Sequence, residues 1–359
     1  QFVEKKQRIS ESDYASLIAL CQMIPGPTSS QVGIGLGYRF AGWRGALSAW
    51  LGFTLPSAVL MLCAGLWILN GGGTNGGAWF ITAMKLVAVG IVTQAVLGMW
   101  KQLCVDRETK IIALITAVAF YSAPTALMQV SLIAIALVAG YVFTFDSDTK
   151  MIEPIRIHQN HLLASIVIGV AWVLGIVAAL LVTDGNVWAE LIVGHYISGA
   201  LVFGGGHVVL PLLESEFVPP MDSSVFLAGY GFAQAMPGPL FTIASYVGAV
   251  MMTESPFVAA TVGVFVIFVP GAMLLSIALI LGDRLTRWKS GLGFVNAAVV
   301  GLLFAILINP VFTEAVYSEV TTGLAVLSLL TCVVLKRSSL ELVGVMVIST
   351  YLCHWLEWF

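Results

Sequence analysis

One motif with chemical content occurs twice in this chain, as Cys21-Gln-Met-Ile-Pro-Gly-Pro27 and as Ala233-Gln-Ala-Met-Pro-Gly-Pro239. Proline has no backbone N–H and suits the first turn of a helix but not its interior. A helix from about Ser12 to Ile24 is therefore expected to end at Pro25, with another starting at Pro27. The start of that second helix presents the free N–H groups of Thr28, Ser29 and Ser30 and the positive end of the helix dipole, a combination that suits an anion. In the second copy Leu240, Phe241 and Thr242 take those places, so that tip offers fewer hydroxyls. The candidate binding residues are Pro25, Gly26, Pro27, Thr28, Ser29 and Ser30 at the first tip and Pro237, Gly238, Pro239 and Thr242 at the second. Gln22 and Gln234, three residues ahead of each tip, join them as amide donors. Pro-Gly-Pro also serves as a tight kink between packed helices, and a glutamine as a cap for a loop carbonyl; both readings stay open.

Lys85 lies inside the apolar run from Ala78 to Trp100. An ionisable residue at that depth in a membrane marks a functional site by default, and here it would add positive charge for an anion. A lysine can equally snorkel to the nearer interface along its apolar stem. Its counterpart by internal alignment is Asn296, a neutral hydrogen-bonding group. In Phe203-Gly-Gly-Gly-His207 the glycines allow close backbone approach, and an imidazole titrates near neutral pH. Gly204, Gly205, Gly206 and His207 are thus candidates for gating or proton coupling, set against a structural role for the histidine. Glu214 and Glu216 read as decoration of an outer loop. The five cysteines are scattered without CxxC spacing, and no metal site or cofactor is expected. An intramembrane Asp pair, an HExxH motif and a Ser-His arrangement are all missing from the sequence, so an enzyme is not expected.

The elements that must position these residues are membrane helices. Of 359 residues, 59% are hydrophobic and 10% charged, against about 25% charged in a soluble domain. Gly45 to Met84 and Ile111 to Phe145 carry no charge, and each is long enough for two crossings of about 20 residues. Turn residues break them at Asn70 to Gly77 and at Ser122 to Thr125. A net charge of −3 and the lack of a long basic run set nucleic acid aside.

The duplication extends beyond the tips. Gly52-Phe-Thr-Leu-Pro56 answers Phe265-Val-Ile-Phe-Val-Pro270, and Lys85-Leu-Val-Ala-Val-Gly90 answers Asn296-Ala-Ala-Val-Val-Gly301. Basic residues flank the first tip (Lys5, Lys6, Arg8, Arg39, Arg44), whereas acidic residues flank the second (Glu214, Glu216, Asp222, Glu254). Because Lys and Arg in short loops favour the cytoplasm, this exchange predicts two repeats of inverted topology. The charge-free span Leu162 to Val182 is the odd crossing that inverts the second. The expected fold is an all-α polytopic membrane protein of two inverted repeats, with re-entrant or broken helices at Pro-Gly-Pro. Its parts are 1–145, a linker 146–186 with one helix, and 187–359.

Taken together, the paired Gln-x-x-Pro-Gly-Pro motifs, Ser29-Ser-Gln-Val-Gly33, Gly52-Phe-Thr-Leu-Pro-Ser57 and Phe203-Gly-Gly-Gly-His-Val-Val-Leu-Pro-Leu-Leu-Glu214 resemble the chromate ion transporter family in its two-domain form. The resemblance runs from about Phe2 to about Pro310, and its specificity lies in the order and duplication of the motifs. It implies a multi-pass inner (plasma) membrane secondary transporter that expels chromate, exchanging it for sulfate or coupling to protons. The partners it implies are the chromate or sulfate anion and the lipid bilayer, with a homodimer allowed. A passive oxyanion channel, or transport of another tetrahedral anion, remains the alternative. The counterpart of the glycine motif would fall before residue 1, so an N-terminal segment of the family pattern is expected to be missing.

Overall fold

The computed structural model describes residues 9–72, 77–143, 162–181, 185–203, 206, 209–218, 220–281 and 289–358, and among them no residue is in a strand. The first half consists of α1 (Glu11–Met23), α2 (Thr28–Trp67), α3 (Ala78–Leu103), α4 (Arg107–Ser122) and α5 (Ala126–Phe143). A single helix, α6 (Leu162–Leu181), follows. Then come α7 (Val187–Leu201), α8 (Val209–Phe217), α9 (Ser223–Ala235), α10 (Ile243–Met251), α11 (Pro256–Leu281) and α12 (Lys289–Ile306). The short α13 (Thr313–Ala315), α14 (Glu319–Leu329) and α15 (Ser339–Trp355) complete the chain. Stretches Thr28–Gly72, Ala78–Leu103, Pro256–Ile280 and Leu292–Ala315 are long and apolar enough to cross a membrane. The expected breaks near residues 70 to 77 and 122 to 125 fall between helices.

The first Pro-Gly-Pro motif ends α1 at Met23 and starts α2 at Thr28, within one residue of the expected places, and the second ends α9 at Ala235 and is followed by a 3-10 turn, Leu240–Thr242, that leads into α10. Ser10 and Asp222 are equivalent in the repeat, and each caps its helix by accepting a backbone N–H, from Asp13 and Val225 respectively, at 3.1 Å. Each pair of helices flanking a tip is a hairpin. At the first, Arg39 Nη2 lies 2.6 Å from Asp13 Oδ2, which joins the far ends of the two arms. At the second, the Tyr246 hydroxyl donates to the Val225 carbonyl at 2.8 Å. Arms this short cannot span about 30 Å of hydrocarbon at 1.5 Å per residue.

Helix α2 is two helices folded back on one another, the turn falling between Arg39 and Arg44, the basic residues expected to follow the re-entrant tip. The backbone leaves helical geometry at Ala41 and at Gly42, whose φ of +58° favours glycine. Beyond this turn Gly37 and Gly45 approach so closely that a Cβ on either would collide with the backbone of the other. The second half makes the same reversal with an explicit break between α10 and α11, where a Cβ on Gly248 would press on the Ala259 carbonyl.

The halves are packed into each other rather than side by side. Helix α3 is buried from Thr82 through Val92 and lies on α9, α14 and α15 of the other half; α12 lies on α4 and α5 of the first. Two glycines allow this contact, Gly90 against Ser328 and Gly301 against Ala113 and Ala117. Gly90 and Gly301 are 211 positions apart, as are Ala117 and Ser328, so one contact is made twice.

Candidate functional site

The same reciprocity brings each tip onto an interior proline of the opposite half. At the first tip Gly26 has φ +131° and lies against the backbone of Gly271, next to Pro270 in α11. Its N–H donates to the Val202 carbonyl at 2.7 Å. Gln31 closes the turn: it is fully buried, and its Nε2 donates to the carbonyls of Pro25 (3.0 Å) and Gly271 (3.1 Å). Both amide hydrogens are thereby used, so Gln31 builds the tip and has no donor left for a ligand. At the second tip Gly238, with φ +151°, meets Ser57, next to Pro56 in α2. Thr242 closes that turn with its hydroxyl on the Pro239 carbonyl at 2.9 Å. A proline inside a helix removes one helical hydrogen bond and leaves a carbonyl without its donor, so both tips dock where a helix is weakened.

The first tip has the richer set of donors. The first helical bond of α2 is Gln31 N–H to Pro27 at 2.8 Å, so the N–H groups of Thr28, Ser29 and Ser30 precede it and have no partner within the helix. Ser30 is 2% exposed, and its hydroxyl has no partner. Thr54, also 2% exposed, has an unpartnered hydroxyl as well. Ser30 stands twelve residues before Gly42 and Thr54 twelve after it, so the fold-back of α2 sets both hydroxyls at one height. Among the other expected residues Thr28 and Pro25 are half-buried, Pro27 and Pro239 are buried, and Ser29 and Pro237 are exposed. Gln22 is exposed on α1, and half-buried Gln234 is hydrogen-bonded to the side chain of Tyr230.

The described residues Val202 and Gly206, before and within the glycine motif, lie at the same place. Val202 accepts from Gly26 of the first tip, while a Cβ on Gly206 would lie 3.4 Å from Leu240 of the second. The chain from 202 to 206 therefore has one end at each tip. Gly204, Gly205 and His207 lie outside the described residues.

Lys85 is not brought to either tip. It is buried, and its Nζ donates to Ser224 Oγ at 3.0 Å, which in turn donates to Glu314 Oε2 at 3.1 Å. The ammonium also sits 5.4 Å from the Tyr317 ring centroid. Ser224 is at the start of α9 and Pro237 lies beyond its end, about 20 Å away at 1.5 Å per residue. The lysine therefore neither snorkels out to solvent nor reaches the tips; hydrogen bonds and an aromatic face hold it at the far end of the hairpin. Asn296 is half-buried on α12.

Glu214 and Glu216 do not decorate an outer loop. Both lie in α8, where Glu214 is 9% exposed, and Glu214 Oε2 and Glu216 Oε1 are buried without a partner. Gln31, Thr54 and Ser57 also belong to the tips and lie outside the expected binding residues. Thr54 and Ser57 carry a signal, as polar residues in an apolar stretch around Pro56, and Gln31 closes the polar run that follows Pro27.

Comparison with known proteins places this architecture. A "Chromate transport protein" of Pseudomonas aeruginosa is 28% identical over 321 residues, covering 86% of this chain and 74% of that protein. A "Probable chromate transport protein" of Synechococcus elongatus is 25% identical over 277 residues, 76% of this chain and 67% of the relative. An uncharacterized transporter of Methanocaldococcus jannaschii is 23% identical over 318 residues, 86% and 77%. No solved structure matches. The profile described as "Chromate transporter" matches residues 1–144 and 189–353, most of both repeats, and this chain therefore belongs to the chromate transporter family.

Proposed function

We propose that this chain is a secondary transporter that carries chromate across the plasma membrane, binding it where the two Pro-Gly-Pro tips and the 202–206 segment meet. The observation that carries the reading is the pair of buried hydroxyls without partners, Ser30 in the first turn of α2 and Thr54 after its fold-back. A tetrahedral dianion entering a dry site must exchange its water for several donors. The free N–H groups of Thr28, Ser29 and Ser30, the two hydroxyls and the dipole of α2 supply them. The second tip adds the N–H groups of Leu240 and Phe241, which precede the first local bond, from Thr242 N–H to Pro239.

Mutual docking of tips and broken helices favours alternating access over a fixed pore. Each tip rests on the other half, so a rocking of the halves moves both tips together and transfers the site from one face to the other. The transport mode we assign is export coupled to anion exchange or to protons; sulfate, which shares charge and shape with chromate, is the candidate exchange anion. Reconstitution with labelled chromate tests this: saturable flux that is accelerated by sulfate or chromate on the opposite side is expected. Flux linear in chromate and indifferent to the opposite side would identify a channel.

A further inference from the structure

We infer that Glu214 is a proton-binding site through which transport is coupled to proton movement; this rests on the proposed transport of an oxyanion. Glu214 is nine-tenths buried, and one of its carboxyl oxygens has no hydrogen-bond partner. The ion pairs among the described residues are Arg39 with Asp13 and Arg337 with Glu341, and neither includes Glu214. An unpaired carboxylate removed from water favours its neutral, protonated form.

The surroundings on every side are consistent with this. Helix α8 packs on α5, α7, α9 and α12. Helix α5 carries no charged residue, and Tyr141 is its one titratable group; its Gln129 accepts from Ser215 at 3.2 Å while the fully buried amide nitrogen finds no acceptor. Helix α7 carries Glu190, His195 and Tyr196. The His195 ring lies 4.7 Å from Phe217 and its Nδ1 meets the Leu191 carbonyl at 2.6 Å. Helix α9 offers Tyr230 and its cap Asp222, and α12 offers Lys289 at its first position. On α8 itself half-buried Glu216 faces α7, where a Cβ on Gly194 would come within 3.2 Å of its own Cβ. Helices α5 and α8 thus carry a buried amide nitrogen without an acceptor and two buried carboxyl oxygens without donors among the described residues.

The link to the anion is the backbone. Helix α8 begins at Val209, three positions after Gly206, which lies against Leu240 of the second tip. A movement of the tips that transfers the anion also pulls on α8 and changes the access of Glu214 to water. The carboxylate takes up a proton from one face as the site closes, becoming the uncharged acid, and releases that proton to the other face when α8 is rehydrated. No other bond forms or breaks.

Three measurements on purified protein in liposomes test the inference: chromate–chromate exchange without a pH gradient, chromate accumulation driven by a pH gradient, and infrared titration of the buried carboxylic acid. Glu214→Gln, which has the shape of the protonated acid, is expected to keep exchange within twofold, lose at least tenfold in gradient-driven accumulation, and lose the carboxylic acid band. Glu214→Asp is expected to restore part of the accumulation and a shifted band. Gradient-driven accumulation by Glu214→Gln at the wild-type level would overturn the inference. So would loss of exchange in monodisperse Glu214→Gln, or loss of coupling in Glu216→Gln instead. If the wild type shows no chromate exchange at all, the transport reading fails, while the infrared titration still decides whether Glu214 binds the proton.

Discussion

Ser30→Ala offers a direct measurement of the site because its effects with and without anion should be opposite in sign. In the unliganded protein the Ser30 hydroxyl is buried and makes no hydrogen bond. An unsatisfied buried polar group is unfavourable by about 1–3 kcal/mol, so its removal should leave stability unchanged or raise it by up to about 1 kcal/mol after the loss of packing. A hydrogen bond to a charged group contributes about 1.5–3 kcal/mol, and every 1.4 kcal/mol is about tenfold in affinity. Chromate affinity should therefore fall roughly 10- to 100-fold in Ser30→Ala and by a similar factor in Thr54→Val. Titration calorimetry in detergent gives the dissociation constants, and thermal unfolding with and without chromate gives both stabilities. At anion concentrations near 100 times the wild-type dissociation constant, ligand stabilisation should drop from about 2.7 to about 1.4 kcal/mol for a tenfold loss. An affinity within twofold of wild type in both variants would remove these hydroxyls from the site. A less stable unliganded protein would mean that the hydroxyls have partners after all.

Lys85→Gln should leave chromate affinity within about twofold while lowering stability by about 1–3 kcal/mol, because Ser224 and Glu314 lose the cation they surround; a large affinity loss at unchanged stability would place the lysine in the anion path. Gly45→Val should prevent recovery of monodisperse protein, since its side chain would strike the Gly37 carbonyl and open the α2 fold-back; a normal elution profile would refute that packing. Cysteine reporters at Thr74 and Arg287, both outside the described residues, should label from opposite faces if the repeats are inverted, and labelling from one face would defeat inversion.

Helix breaks, spans and the duplication were all readable from local chemistry. Proline at positions 25, 27, 237 and 239 forbids a continuous helix whatever surrounds it. Long charge-free runs require burial in lipid or protein, and a repeat is a comparison of the chain with itself. The α2 fold-back is marked in the sequence by Arg39 and Arg44 on either side of Ala41-Gly42, whereas its close packing depends on Gly37 meeting Gly45.

Polar residues mark the limit. That Lys85, Gln31 and Glu214 need partners in an apolar chain follows from the energy of burying polar groups. Which partners they receive does not, because the partner comes from a distant turn of the chain. Lys85 finds Ser224, 139 residues away, and Gln31 finds Gly271, 240 residues away. Glu214 finds none. Those outcomes depend on how the halves interlock: α3 against α9 carries the lysine away from the tips, and α8 among four helices closes over the glutamate. Residue type states the need for a partner at each position, whereas long-range packing, fixed by glycine contacts such as Gly90 on Ser328, settles whether and by what that need is met.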